Sequence, residues 1–378
     1  MGGSWLNLYL VGASAVCFCF LLLSLANMVA FRRLNIPARK LNSPKVSILV
    51  PARDEEVNLR ACLDSLLKQD YSNFEILVLD DNSSDGTAEI LREYAERHPR
   101  LSTFSGAPLP PDWLGKHYAC QQLSEHAEGE YLLFTDADTV HRPDCVSWAL
   151  TNLLHHDADF MSAMPRQKIG SFGEAVVVPV VHLATSMFLP VWLVPTTRNP
   201  LISFAVGQFV IGRASAYATV GGYESIRHDL VDDLSMAKKM KASGFKTLFL
   251  NGEDHVDCRM YRNYRCAFNG IMKSLFAALD KSLPRLLGAL LLVVAAVLLP
   301  LVILLARGAA DTGDMLLSAA PVAIFLLMWS LSLYDRRVSP FLALLYPLQF
   351  LSLMAIAAVS AAKTSYGKGA LWKGRLVK

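Results

Sequence analysis

The sequence is short of charge: of its 378 residues only 18% are Asp, Glu, Lys or Arg, against 53% hydrophobic. A mean hydropathy of +0.33 is too apolar for an ordinary soluble enzyme and too polar for a pure transporter. Apolar and polar blocks must therefore be segregated along the chain. There is no continuous basic stripe. The net charge is only +3, and basic residues gather beside apolar runs, at Arg32, Arg33, Arg39 and Lys40 and again across 363–378. That placement excludes a nucleic-acid partner and marks membrane flanks. Patterned cysteine is missing too. Cys17 and Cys19 lie in an apolar stretch, and Cys62, Cys120, Cys145, Cys258 and Cys266 are scattered singly. They read as reduced thiols of a cytosolic domain, none of them a nucleophile. The first apolar run lacks the basic leader and small-residue cleavage site of a signal peptide, so it is read as a retained anchor.

That run, Leu6 to Phe31, is long enough to cross the hydrocarbon layer. It defines an N-terminal anchor over 1–33, with the following arginines on the cytoplasmic side. Three more apolar runs, Leu286–Ala306, Met315–Leu333 and Phe341–Ala362, place C-terminal transmembrane helices and a basic tail over 285–378. Three crossings would leave the basic tail outside, whereas Asp335-Arg336-Arg337 pulls toward the cytoplasm. One C-terminal segment is therefore expected to be re-entrant or interfacial.

Between the blocks, residues 34–284 alternate strand and helix patterns. Val46–Val50, Phe74–Leu79 and Tyr131–Thr135 read as strands, and Glu55–Gln69 and Thr87–His98 as helices. The fold class is α/β, a Rossmann-like, mostly parallel sheet covered on both faces. Ligands of such sheets bind beyond the carboxyl ends of the strands. Three strands deliver polar residues there: Arg53-Asp54-Glu55, Asp80-Asp81 and Asp136-Ala137-Asp138.

Asp136 and Asp138, one residue apart where a strand breaks, offer hard oxygens suited to Mg²⁺ or Mn²⁺. A surface turn or helix cap is the plainer reading of an isolated Asp-x-Asp. Asp80-Asp81 fits either a turn with a side-chain cap or a contact to a nucleotide base or ribose. Asp232-Asp233 opens an amphipathic helix, where acids are ordinary. The pair also suits a general base for an acceptor hydroxyl, delivered from a different segment than the metal carboxylates. Lys116, after the Pro108–Pro111 loop, is a candidate to neutralise a phosphate. Arg262 and Arg265, three apart, would share a helix face and clamp a pyrophosphate, or bind lipid headgroups.

The ordered set of motifs over about 45–275 resembles the family 2 glycosyltransferases with a GT-A fold, of the processive or lipid-acceptor kind. Val50-Pro51-Ala52-Arg53-Asp54-Glu55-Glu56 is similar to that family's first strand and donor loop. Leu79–Thr87 is similar to its base-binding turn, Thr135–Asp138 to its metal motif, and Asp232-Asp233-Leu234-Ser235-Met236-Ala237 to its catalytic Glu-Asp-x-x-Leu-Ala. The resemblance implies a UDP-sugar donor, a divalent metal and inversion at the anomeric carbon. By matching position it makes Asp81 the uracil contact, Asp138 the metal ligand with Asp136, and Asp233 the base. Pro51, Ala52, Glu55, Asp80, Lys116 and Arg265 fall on the donor side. Gly207-Gln208-Phe209, Gly221-Gly222-Tyr223 and Trp372-Lys373-Gly374-Arg375 narrow the likeness to carotenoid- and hopanoid-associated transferases and, further off, ceramide glucosyltransferases. They place Gly207, Gln208 and Arg262 toward the acceptor. The family's Gln-x-x-Arg-Trp is replaced by Arg262-Asn263-Tyr264-Arg265-Cys266, and the missing Trp argues against a polysaccharide synthase. The apolar stretch 174–194 cannot cross the membrane without separating Asp136 from Asp233, so it is expected to be interfacial, guiding a lipid acceptor. The expectation is an integral protein of a bacterial plasma membrane. Its cytoplasmic domain would move a hexose, glucose from UDP-glucose, to a hydroxyl or carboxyl of a membrane lipid.

Overall fold

A computed structural model describes residues 2–41, 43–307, 312–365, 370–372 and 375–377. The chain opens with helix α1 (Gly2–Leu34), then alternates strands and helices: β1 (Val46–Ala52), α2 (Leu59–Leu67), β2 (Phe74–Asp80), α3 (Thr87–Arg97), β3 (Leu101–Ser105), α4 (Gly115–His126) and β4 (Tyr131–Thr135). Next come β5 (Thr139–His141), α5 (Cys145–His155), β6 (Phe160–Met164), β7 (Arg166–Gln167) and α6 (Phe172–Val177). Then follow β8 (Phe209–Arg213), α7 (Ala214–Thr219), α8 (Asp232–Ala242), β9 (Thr247–Asn251), β10 (Val256–Cys258) and α9 (Tyr264–Ala278). The main sheet runs β3-β2-β1-β4-β8-β6-β9. Only β8 is antiparallel to its neighbours, so the sheet is mostly parallel as the pattern predicts.

The near-continuous apolar runs of the strands follow from burial on both faces. Ile48, Val50, Ile76, Val78 and Leu133 pack under α2, α3 and α5. Leu49, Leu77, Leu79, Leu132 and Phe134 pack under α4, α7 and α8. Polar residues are thereby driven to the strand ends, which is where the chemistry collects. A smaller sheet, β5-β10-β7, lies beyond the end of β4. It pairs Cys258 with Thr139, next to Asp138.

The apolar block comprises α1, α10 (Leu283–Val293), α11 (Leu299–Arg307), α12 (Thr312–Asp335) and α13 (Tyr346–Ser365), followed by a tail hairpin of β11 (Ala370–Trp372) and β12 (Arg375–Val377). Four helices are long and apolar enough to cross a membrane: Ser4–Leu34, Leu283–Arg307, Asp314–Asp335 and Pro340–Ser365. The 174–194 segment is broken into short turns. Pro179 and Pro190 each remove a backbone donor, and Asn27 of α1 repairs the break. Its amide donates to the carbonyls of Thr185 (2.6 Å) and Leu189 (2.8 Å) and accepts from the Val191 amide at 2.8 Å. Most of the segment is buried, with Phe188 and Trp192 left exposed.

One expectation needs correction. Arg262 and Arg265 do not share a helix face, because Asn263 caps α9, accepting the Cys266 amide at 2.9 Å, and leaves Arg262 outside the helix.

Candidate active site

Three strand ends and two helix starts converge on one cleft. At the end of β1, Pro51 and Ala52 carry the chain into Arg53, whose guanidinium donates to the carbonyls of Asp81 and Asn82. Glu55 accepts from Asn58 Nδ2 at 2.8 Å, and Asn58 Oδ1 in turn accepts from Arg262 at 2.7 Å. Arg262 therefore lies beside the loop that follows β1. At the end of β2 the two aspartates divide. Asp80 closes the turn, accepting the Ser83 amide at 3.0 Å. Asp81 accepts two hydrogen bonds from Arg375 of the tail, from Nη2 at 3.0 Å and from Nη1 at 2.5 Å.

Asp136 and Asp138 flank Ala137, which is 2% exposed. Burying that methyl turns both carboxylates the same way. The loop is pinned by Thr139, whose hydroxyl donates to the Asp136 carbonyl at 2.7 Å. Burial, with Asp136 and then Glu55 nearby, pushes the Asp138 carboxyl up to about 7. A carboxylate so destabilised as an anion is one that a dication would stabilise. Among the described residues no three His, Cys, Asp or Glu side chains form a ready-made metal cage. A bound ion would draw on Asp136 and Asp138 and complete its shell with phosphate and water, the usual habit of Mg²⁺.

Asp232 and Asp233 form the first turn of α8. Asp233 accepts the amide of its own helix residue Leu234 at 2.7 Å and the Gly207 amide at 2.7 Å. The capping role is thus real, and it also fixes the carboxylate in place. Burial and the neighbouring Asp232 push Asp233 up to about 7. Burial acts on Asp232 in the same direction, but Lys116 and His117 outweigh it and hold its carboxyl well below the usual range. Tyr223 donates to Asp232 at 3.3 Å.

Lys116 joins the two acidic groups. Its Nζ lies 2.7 Å from Asp136 and 3.7 Å from Asp232. Gly207 leaves room for it, since a Cβ there would sit 3.1 Å from Nζ and 3.5 Å from Asp233 Oδ2. Gln208 points into the core, accepting from Gln167 at 2.8 Å and donating to Cys258 Sγ at 3.0 Å, while Cys258 approaches Asp138 at 3.6 Å. It props the Asp136–Asp138 loop from behind. Arg265 is exposed on the first turn of α9.

Sequence reasoning missed Lys273. Burial, then Lys116, lowers its ammonium to about 8, against the opposing pull of Asp232, Asp136 and Asp233. A signal was present: Lys273 is the one charged residue in α9 beyond its first turn.

Residues 47–221 match the family model described as glycosyl transferase family 2. A Staphylococcus haemolyticus protein named 4,4'-diaponeurosporenoate glycosyltransferase is 26% identical over 65% of this chain and 65% of its own length. A Staphylococcus aureus protein of the same name is 26% identical over 91% of this chain and 92% of its own. A mannosyltransferase from Pyrobaculum calidifontis, solved with GDP-Man and Mn²⁺, superposes with a TM-score of 0.56 at 19% identity, over 96% of this chain and 99% of that one.

Proposed function

Because the chain is a membrane glycosyltransferase of family 2 with a GT-A fold, we propose that it is an inverting, metal-dependent enzyme moving glucose from UDP-glucose to a membrane lipid. The observation that carries this reading is Asp233: a half-buried carboxyl raised to about 7 and held by two backbone amides, with Lys116 linking its neighbour Asp232 to Asp136. A base with that pKa takes a proton effectively near neutrality. The acceptor O–H gives its proton to Asp233, its oxygen bonds the anomeric carbon, and the bond from that carbon to the diphosphate oxygen breaks. Asp81 takes the base, Glu55 lies beside the donor loop, and Lys116 is placed to follow the leaving diphosphate. Asp136 and Asp138 would hold Mg²⁺ or Mn²⁺, which supplies charge neutralisation on the diphosphate.

The names of the two staphylococcal relatives support a carotenoid-type lipid acceptor. We place the catalytic domain in the cytoplasm, with Arg32 and Arg33 at the inner end of α1. Three helices then cross, and Pro340–Ser365 lies at the interface. Before it, Arg337 pairs with Asp254. Along it, Ser352 meets Tyr264 at 3.3 Å and Ser360 accepts the Phe276 amide at 3.1 Å. After it, Arg375 reaches Asp81. Both ends of the segment therefore meet the catalytic domain.

Asp233→Asn is expected to abolish transfer while leaving Mn²⁺-dependent UDP binding intact by calorimetry. Asp138→Ala is expected to weaken that binding. Full turnover in Asp233→Asn would overturn the assignment of the base.

A further inference from the structure

The Trp372-Lys373-Gly374-Arg375 motif has no part in the reaction as derived above; Lys373 and Gly374 lie outside the described residues. Arg375 does not stand apart from the site. Its guanidinium meets both carboxylate oxygens of Asp81, a residue 294 positions away and only 7% exposed. The contact is enclosed on a third side. At Gly115, the residue before Lys116, a Cβ would overlap Arg375 Nη1 and lie 3.0 Å from Asp81 Oδ2. The end of β2, the start of α4 and the tail hairpin thus form one socket for a planar group with two parallel N–H donors.

We propose that Arg375 is a self-supplied occupant of the nucleobase position, a strap that closes the donor site until an entering base takes its place on Asp81. The proposal rests on the reading of Asp81 as the base contact. A buried carboxylate stripped of its donors carries a desolvation penalty. Only an entering group that itself donates to Asp81 replaces Arg375 without incurring it. The imide N–H of uracil supplies one such donor; a base methylated at that nitrogen supplies none. The strap therefore selects for base chemistry as well as covering the cleft. It lowers apparent donor affinity by the fraction of molecules in which the site is closed.

The test uses the full-length protein in detergent with Mn²⁺ and calorimetric binding of uridine, N3-methyluridine and UDP. Arg375→Ala is expected to tighten uridine and UDP by the same factor, on the order of 3- to 10-fold. N3-methyluridine should bind neither protein appreciably. In the wild type, UDP should speed amide exchange in the peptide covering 370–377. Unchanged affinities in Arg375→Ala would overturn the proposal. So would weaker UDP binding with uridine unchanged, because that pattern belongs to a phosphate clamp. Failure of the donor assignment is separable: a wild type that binds a different nucleoside diphosphate and no uridine loses UDP as donor. The strap is then still tested by Asp81→Asn without nucleotide, which should speed exchange in 370–377. Unaltered exchange there would overturn it.

Discussion

At Asp233 the burial that makes a base near neutrality also burdens the folded state. Its carboxyl is raised to about 7, far above the range of an exposed aspartate. Below that value the folded protein holds the proton, so the wild-type kcat should fall as pH drops through about 7. Stability runs the other way. Between the ordinary aspartate pKa and about 7 the folded state binds more protons than the unfolded state, so stability declines as pH rises through that window. Asp233→Asn removes this penalty. Its Tm in detergent should exceed the wild-type value by about 2–4 °C at pH 8, with the difference vanishing near pH 4. At this scale the placing of Asp80, Asp81, Asp136 and Asp138 at strand ends was legible in the sequence, from the apolar runs that precede them. The division between Asp80 and Asp81 was not, because it depends on which carboxylate the turn at Ser83 consumes.

Helix α9 shows how an element can carry a site that no motif announces. Asn263 caps its first turn, and Gly270 lets it close against the Tyr261 ring, which a Cβ there would overlap. With its first turn capped and Gly270 against Tyr261, the helix lays one side along α13, while Lys273 feels the charges of Asp232, Asp136 and Asp233. Lys273→Met is expected to lower kcat at least tenfold, with Tm unchanged or raised, since a half-buried ammonium is replaced by an apolar chain of similar length. Assay at saturating UDP-sugar and a thermal melt in the same detergent check both halves. The element boundaries explain what sequence reading lost here. Helical spacing linked Arg262 with Arg265 only under the assumption that one helix holds both, and an asparagine cap between them broke that link. The 174–194 stretch looked continuous for a similar reason: prolines mark where a helix breaks, but the partner that repairs the break, Asn27, is remote in sequence.

For the whole molecule, the arrangement of charged contacts predicts a topology. Arg32 pairs with Asp335 at 3.6 Å, bringing the ends of α1 and α12 to one side, and Arg337 and Arg375 join the catalytic domain there. Single cysteines introduced at Lys40, Arg337 and Lys378 should be labelled only from the cytoplasmic face, and one near 308–311 only from the opposite face. Labelling of Lys378 from outside would restore a crossing to α13. The fold class and the segregation into membrane and catalytic blocks were readable from hydropathy and strand–helix alternation. The tail's destination was not, because nothing local in 363–378 specifies a partner just past the end of β2.

The strand order has a consequence for how the chain is made. β6 leaves the ribosome before β8, yet in the finished sheet β8 lies between β4 and β6. Until β8 is synthesised, Phe160–Met164 has no sheet neighbour, and the edge of β4 it will never touch stands open. The apolar residues of both edges are then exposed together, the situation in which strands pair with the wrong chain. Between residues 164 and 209, therefore, the growing chain carries both an unpaired strand and an open sheet edge.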